Sequence, residues 1–174
     1  MNVTIICDAS YCPDTMIAGY AYWVASDRGK MGDDGVFRNR LGNNIAAEMM
    51  AVNTAIQDGL GAKLIQDFDN ILIQTDCQGA IDAFLNYRDV RNDQENKIVS
   101  WYNELRSASK LSLYFKHVKA HTGCQATRSI VNGICDRKAR KRMREARDAY
   151  NNRLIQMSTE TEISYPTIAQ DEVQ

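Results

Sequence analysis

Two acidic residues close short apolar runs in this chain. Val3-Thr4-Ile5-Ile6-Cys7 leads into Asp8, and Ile71-Leu72-Ile73-Gln74-Thr75 leads into Asp76. Runs rich in Ile and Val that are too short for a helix read as buried strands. An aspartate at a strand's carboxyl end stands where open α/β sheets place their ligands. If the two strands lie side by side, both carboxylates reach one spot, and bare carboxylates a few ångströms apart repel until one takes up a proton. A divalent cation removes that conflict. Hard oxygen donors without a matching His/Cys cluster point to Mg²⁺ or Mn²⁺ rather than zinc. Glu48, near the apolar face of a predicted helix, is a third candidate for the same spot. Each acid also has a simpler role: Asp76 can cap the helix that follows it, and Glu48 can be a surface residue in the first turns.

The elements that must position these acids follow in order. After Asp8, Tyr11-Cys12-Pro13-Asp14-Thr15 reads as a turn, and Met16–Ser26 as an aromatic, β-branched strand. Asp27-Arg28-Gly29-Lys30 turns the chain back into a more polar strand, Met31–Arg40, so three antiparallel strands open the fold. Asn43-Asn44 starts a helix that runs to about Asp58, with Gly59 and Gly61 as its stop. Its small-residue face is Ala47, Met50, Ala51, Thr54 and Ala55. The strand ending at Thr75 is followed by helices Cys77–Tyr87 and Gln94–Ser107, then an alternating strand Leu111–Val118. A polar loop, Lys119–Arg128, leads to a long helix from about Ser129 or Asn132 to Gln156. Residues 1–156 are therefore expected to form one domain, with 157–174 as a polar, flexible tail.

At 174 residues and 44% hydrophobic composition the chain can bury a real core, and a formal charge of -1 excludes a wholesale nucleic-acid condenser. The charge is uneven, however: Arg137 to Arg144 is strongly basic, while Glu160, Glu162, Asp171 and Glu172 are acidic. No apolar run approaches the roughly 20 residues that span a bilayer, and Met1-Asn2-Val3 lacks a charged leader region. A soluble, non-exported protein of the cytoplasm is expected. The five cysteines form no CxxC pair and read as small apolar packers in a reducing compartment.

Taken together, four motifs resemble the type 1 ribonuclease H family. They are Cys7-Asp8-Ala9-Ser10, Asn43-Asn44-Ile45-Ala46-Ala47-Glu48, Thr75-Asp76-Cys77-Gln78, and Val118-Lys119-Ala120-His121 followed by Cys135-Asp136. The resemblance implies an α/β ribonuclease H-like fold: a mixed five-stranded sheet, three antiparallel strands then two parallel, flanked by helices. It implies that Asp8, Glu48, Asp76 and Asp136 are catalytic, metal-binding carboxylates holding two Mg²⁺ ions, with Mn²⁺ as substitute. His121 would assist proton transfer or product release. Ser10, Asn43, Asn44, Gln78 and Arg128 would contact nucleic acid, and the substrate would be an RNA·DNA hybrid cut in its RNA strand by a monomer. Asn and Gln suit this because they both donate to and accept from hydroxyls and base edges. Helix capping for the asparagines and plain solvation for Gln78 are the alternatives.

The chain also departs from the family pattern. The usual glycine-rich turn after the first Asp is replaced by Tyr11–Thr15, and one extra residue separates Asn44 from Glu48. The long His121–Asp136 interval, with Thr127-Arg128-Ser129, resembles a subgroup of phages and other large DNA genomes. The basic, Trp-rich handle of many bacterial members is missing between Tyr87 and Gln94; the basic last helix could substitute through phosphate contacts, so weaker and more salt-sensitive hybrid binding is expected than in handle-bearing enzymes. A resolvase-like DNA nuclease on the same fold and a catalytically silent binding module are the competing readings.

Overall fold

The computed structural model describes residues 1–90, 92–118 and 127–163, with the side chains of 127–128 and 158–163 left aside. The elements are β1 (Asn2–Cys12), β2 (Ile17–Ser26), β3 (Gly29–Val36), α1 (Asn44–Gly61), β4 (Asn70–Thr75), α2 (Gln78–Phe84), α3 (Asp93–Ala108), β5 (Ser112–His117) and α4 (Thr127–Ile163). They form one mixed sheet in the order β3-β2-β1-β4-β5. β3, β2 and β1 are antiparallel, whereas β1, β4 and β5 run parallel, as the sequence implied. No helix among the described residues is long and apolar enough to cross a membrane.

β1 is longer than its apolar run suggests. Asp8 does not end the strand, and Tyr11-Cys12 are not a turn. Pairing with β2 continues through Tyr11↔Ala18 and Cys12↔Ile17. The parallel ladder with β4, by contrast, stops at Ile6↔Gln74. Asp8 therefore sits two residues past the point where β4 leaves, with one edge of its strand vacated. Strand alternation puts Ile6, Asp8 and Cys12 on one face. There α4 covers them, with Cys135 and Ala139 against Ile6 and Met143 against Cys12. The other face carries Ile5, Cys7 and Ala9 into the main core beneath α1.

Other boundaries shift for local reasons. The β2–β3 hairpin needs only Asp27-Arg28 between Ser26 and Gly29, and Gly29 takes φ 139°, a region open to glycine. α1 runs past Gly59, where the glycine makes room for Ile65 rather than ending the helix; a Cβ there would lie 2.6 Å from the Ile65 Cδ1. The buried side of α1 is also wider than the small-residue stripe. Met49, Val52 and Ile56 are buried, whereas Met50 and Thr54 are only half-buried, since the helix packs on α3 as well as on the sheet. α2 stops at Phe84 and the chain turns through Asn86 in the left-handed region, φ 58°. α4 continues to Ile163, past the expected end at Gln156, because no Gly or Pro interrupts Met157–Ile163; residues 164–174 lie outside the described set. Cys7, Cys12, Cys77 and Cys135 are free thiols, and Cys124 lies outside the described residues.

α4 can lie flat on β2 because residue 19 has no side chain. A Cβ on Gly19 would stand 2.5 Å from the Ala139 carbonyl oxygen and 2.6 Å from the Met143 nitrogen, both backbone atoms that cannot rotate away. Gly19→Ala is therefore expected to destabilise the protein by about 1–3 kcal/mol through overpacking, read as a lower denaturant midpoint at unchanged slope.

Candidate active site

Three carboxylates converge where β1 outruns β4. Ligand atoms of Asp8, Glu48 and Asp76 all lie within 4.8 Å of one another. Asp8 comes from β1, Asp76 from the residue after β4, and Glu48 from the first turns of α1, reaching across the vacated edge. Asp76 does not cap α2; Cys77 holds the N-cap position, without a side-chain cap bond. Nor is Glu48 a surface residue, since it is only 3% exposed.

The electrostatics match a site built for positive charge. Burial and then the neighbouring Asp76 and Asp136 charges push the Asp8 carboxyl up to about 7, although Ala9 N–H donates to its Oδ1 at 3.0 Å. Burial, followed by Asp8 and Asp76, raises Glu48 well above the usual carboxylate range. Glu48 Oε2 is buried without a hydrogen-bond partner, the kind of orphaned oxygen that normally costs stability. An all-oxygen, anionic and partly orphaned donor set fits a hard dication such as Mg²⁺ or Mn²⁺. Cys7 and Cys77 beside it are not ligands of that kind: burial and the Glu48 charge raise both thiols, Cys77 to about 11, so they stay neutral and pack.

Asp136 is close but not part of the trio. Its charge acts on Asp8, yet its own Oδ1 accepts from Arg140 Nε at 2.8 Å, one helical turn along α4. Ser10 is half-buried on β1, opposite Gly19. Asn43 is the N-cap of α1: its Oδ1 accepts from Ala46 N–H at 2.8 Å and its Nδ2 donates to Glu95 at 2.9 Å. Asn44 is exposed at the first helical position. Gln78 is exposed, and its Nε2 donates to Asp82 at 2.7 Å. His121 lies outside the described residues, as does the Arg128 side chain, although the Arg128 backbone belongs to α4.

Two supporting groups escape sequence reading. His117, at the end of β5, directs Nε2 to the Asp76 carbonyl at 2.9 Å and so pins the backbone that carries that carboxylate. Glu95, 3% exposed at the start of α3, accepts from Asn43, Asn92 and Arg88. Burial alone would raise the Glu95 carboxyl, but the bonds from Asn43 and Arg88 outweigh it and hold the group below its ordinary value. This clamp fixes the N-terminus of α1, one turn from Glu48. The Asn92-to-Glu95 spacing is that of a helix cap, but nothing in it predicts a contact with residue 43.

Comparison with known proteins agrees with the fold. The family model described as RNase H matches residues 1–144. A search of curated proteins finds no match. Among solved structures, the N-terminal RNase H domain of rv2228c from Mycobacterium tuberculosis, solved as a maltose binding protein fusion, superposes with a TM-score of 0.65 at 18% identity, covering 86% of this chain and 98% of that one. RNase H1 from Halobacterium salinarum NRC-1 gives 0.63 at 18% identity, over 83% of this chain and 99% of that one. LC11-RNase H1, solved in complex with an RNA/DNA hybrid, gives 0.64 at 14% identity, over 83% and 98%.

The raised Asp8 carboxyl sets a pH signature. In the unfolded chain it ionises near 3.8 and in the metal-free fold near 7. Its ionisation therefore costs nothing below pH about 4, opposes folding increasingly between there and pH about 7, and opposes it fully above. Asp8→Asn should match the wild type in stability at acid pH and exceed it by on the order of 2–4 kcal/mol above pH about 7 with dications chelated. Mg²⁺ or Mn²⁺ should stabilise the wild type most at the alkaline end, and Asp8→Asn much less. Denaturation curves from pH 4 to 8, with and without metal, read both effects.

Proposed function

This chain belongs to the RNase H family, and on that premise we propose that it is a metal-dependent endoribonuclease that cuts the RNA strand of RNA·DNA hybrids, leaving 5′-phosphate and 3′-hydroxyl ends. The observation that carries the proposal is the meeting of Asp8, Glu48 and Asp76 within 4.8 Å, with a Glu48 oxygen left unpartnered. A binding-only domain gains nothing from holding mutually repelling acids in its interior. The fold neighbour LC11-RNase H1, solved on an RNA/DNA hybrid, supports the choice of substrate.

Asp8, Glu48 and Asp76 would hold one dication and, with Asp136, share a second; four carboxylates offset four positive charges. Two such ions supply activation of water and charge stabilisation at the leaving oxygen. Asp136 has to turn from Arg140 to take part. His121 moves a proton near the scissile bond, Ser10 lies beside the scissile phosphate, and Arg128 contacts a phosphate. The exposed Asn44 and Gln78 read the minor groove, where 2′-hydroxyls tell RNA from DNA. Asn43 contributes by setting the start of α1 rather than through a free amide. The same reading takes the protein as a monomer of the cytoplasm, from the subgroup with the long His121–Asp136 interval, its catalytic domain ending before the polar C-terminal segment.

End-labelled RNA·DNA hybrid, duplex RNA and branched DNA, incubated with Mg²⁺ or Mn²⁺, separate the possibilities. The expected result is cutting of the hybrid's RNA strand alone, abolished by chelation and reduced roughly 10²-fold or more in folded Asp76→Asn. Cleavage of branched DNA, or binding without cutting, would refute the proposal.

A further inference from the structure

The cations of α4 are not equivalent. Lys138 and Arg142 both bind Asp34 of β3, at 2.6 and 2.7 Å, and Arg140 binds Asp136. The outward groove of Arg137, Arg140, Lys141 and Arg144 also contains Glu145 and Asp148, so its charge is mixed. A different hollow, of about 420 Å³, opens where the second half of α4 meets the segment after β3. Its lining includes Phe37, Tyr150, Arg38, Arg40 and Arg153, and no acid. Arg40 forms a fixed wall: it donates to the Thr15 carbonyl at 2.6 Å and stacks 4.4 Å over the Tyr150 ring. Arg38 and Arg153 have neither an ion pair nor a side-chain hydrogen bond among the described residues, and both are exposed.

We propose that this groove binds backbone phosphates of a nucleic-acid duplex engaged at the carboxylates, beyond the cleavage point; the idea rests on the nuclease reading above. Like-charged guanidiniums converge there with no carboxylate between them, an arrangement that an anion relieves. Their planar forks match phosphate oxygens two at a time. The placement suits one ligand spanning both sites. The groove and the carboxylates open at the same end of the sheet, where β1 ends and β2 begins. Ile17, in the groove wall, pairs with Cys12, four residues beyond Asp8, which is roughly 13 Å of strand and about four steps of a nucleic-acid strand. The segment after β3 then passes from the groove into the N-terminus of α1, so the wall of one site and the Glu48 helix of the other are a single stretch of chain. Phosphate contacts here supply affinity without reading sequence, the task left open by the missing handle.

The test compares wild type with Arg38→Ala/Arg153→Ala and with the matching double Lys variant, by fluorescence anisotropy with dications chelated. The probes are RNA·DNA hybrids of about 6 and about 20 base pairs over a range of salt. The wild type should gain affinity with length. The double Ala variant should lose roughly 10-fold on the long hybrid and lower the salt slope by about 2, and the double Lys variant should restore most of the slope. An unchanged slope and length dependence, in a protein that still cuts hybrid, would overturn the groove and leave the nuclease reading intact. A protein that cuts no hybrid, yet loses slope on duplexes through these two arginines, would keep the groove and overturn the nuclease reading.

Discussion

Repulsion among buried acids is the constraint under which this structure is built. Asp8 and Glu48 are almost wholly out of water, with Asp76 beside them, and among the described residues no Lys or Arg is bonded to Asp8 or Glu48. Left to themselves such groups move apart or take up protons. Here they are held by elements with separate anchors. Five parallel register pairs lock β1 to β4, His117 ties down the Asp76 carbonyl, and the Glu95 clamp fixes the start of α1.

Glu95 and Glu48 make an instructive pair, because both are 3% exposed. Glu95 is surrounded by Arg88 and two asparagine amides and stays ionised below its ordinary range. Glu48 faces the acids Asp8 and Asp76, with only the Ala9 backbone N–H to offset them, and is driven the opposite way. Burial is the same; the neighbours decide. The first is a structural joint that satisfies itself within the protein. The second is left incomplete by the protein among other acids, a deficit that a cation would fill.

Much of this was legible in the letters. Apolar runs ending in Asp marked β1 and β4, and the family resemblance implied the mixed sheet. Asn43 carried a capping signal that the structure uses. What the letters hid was tertiary. β1 runs past Asp8 because β2 keeps pairing with it, and that depends on Ala18 and Ile17 rather than on Tyr11-Cys12. Gly59 serves to admit Ile65 against α1 rather than to end the helix. His117 looked like one more residue of an alternating strand, since only the parallel register Thr75↔His117 brings its ring to Asp76. Asp136 carries no local signal at all, standing in the first third of α4 just before its basic run, and only the family pattern singled it out.

The parallel pairing of β1 with β4 also bears on how the molecule comes into being. β1, β2 and β3 can zip through neighbouring hairpins, but Ile5 meets Ile73 only after the intervening α1 has been closed into a loop. Such distant pairing is entropically slow. The acids are delivered by strands and a helix from separate parts of the chain, and the helix bearing Asp136 comes after all five strands in sequence. A partly folded or truncated chain could thus keep an ordered hairpin core while its acids remain apart in water. Their repulsion is felt only when the final architecture closes, so the charge conflict arises late, in a chain already committed to its shape.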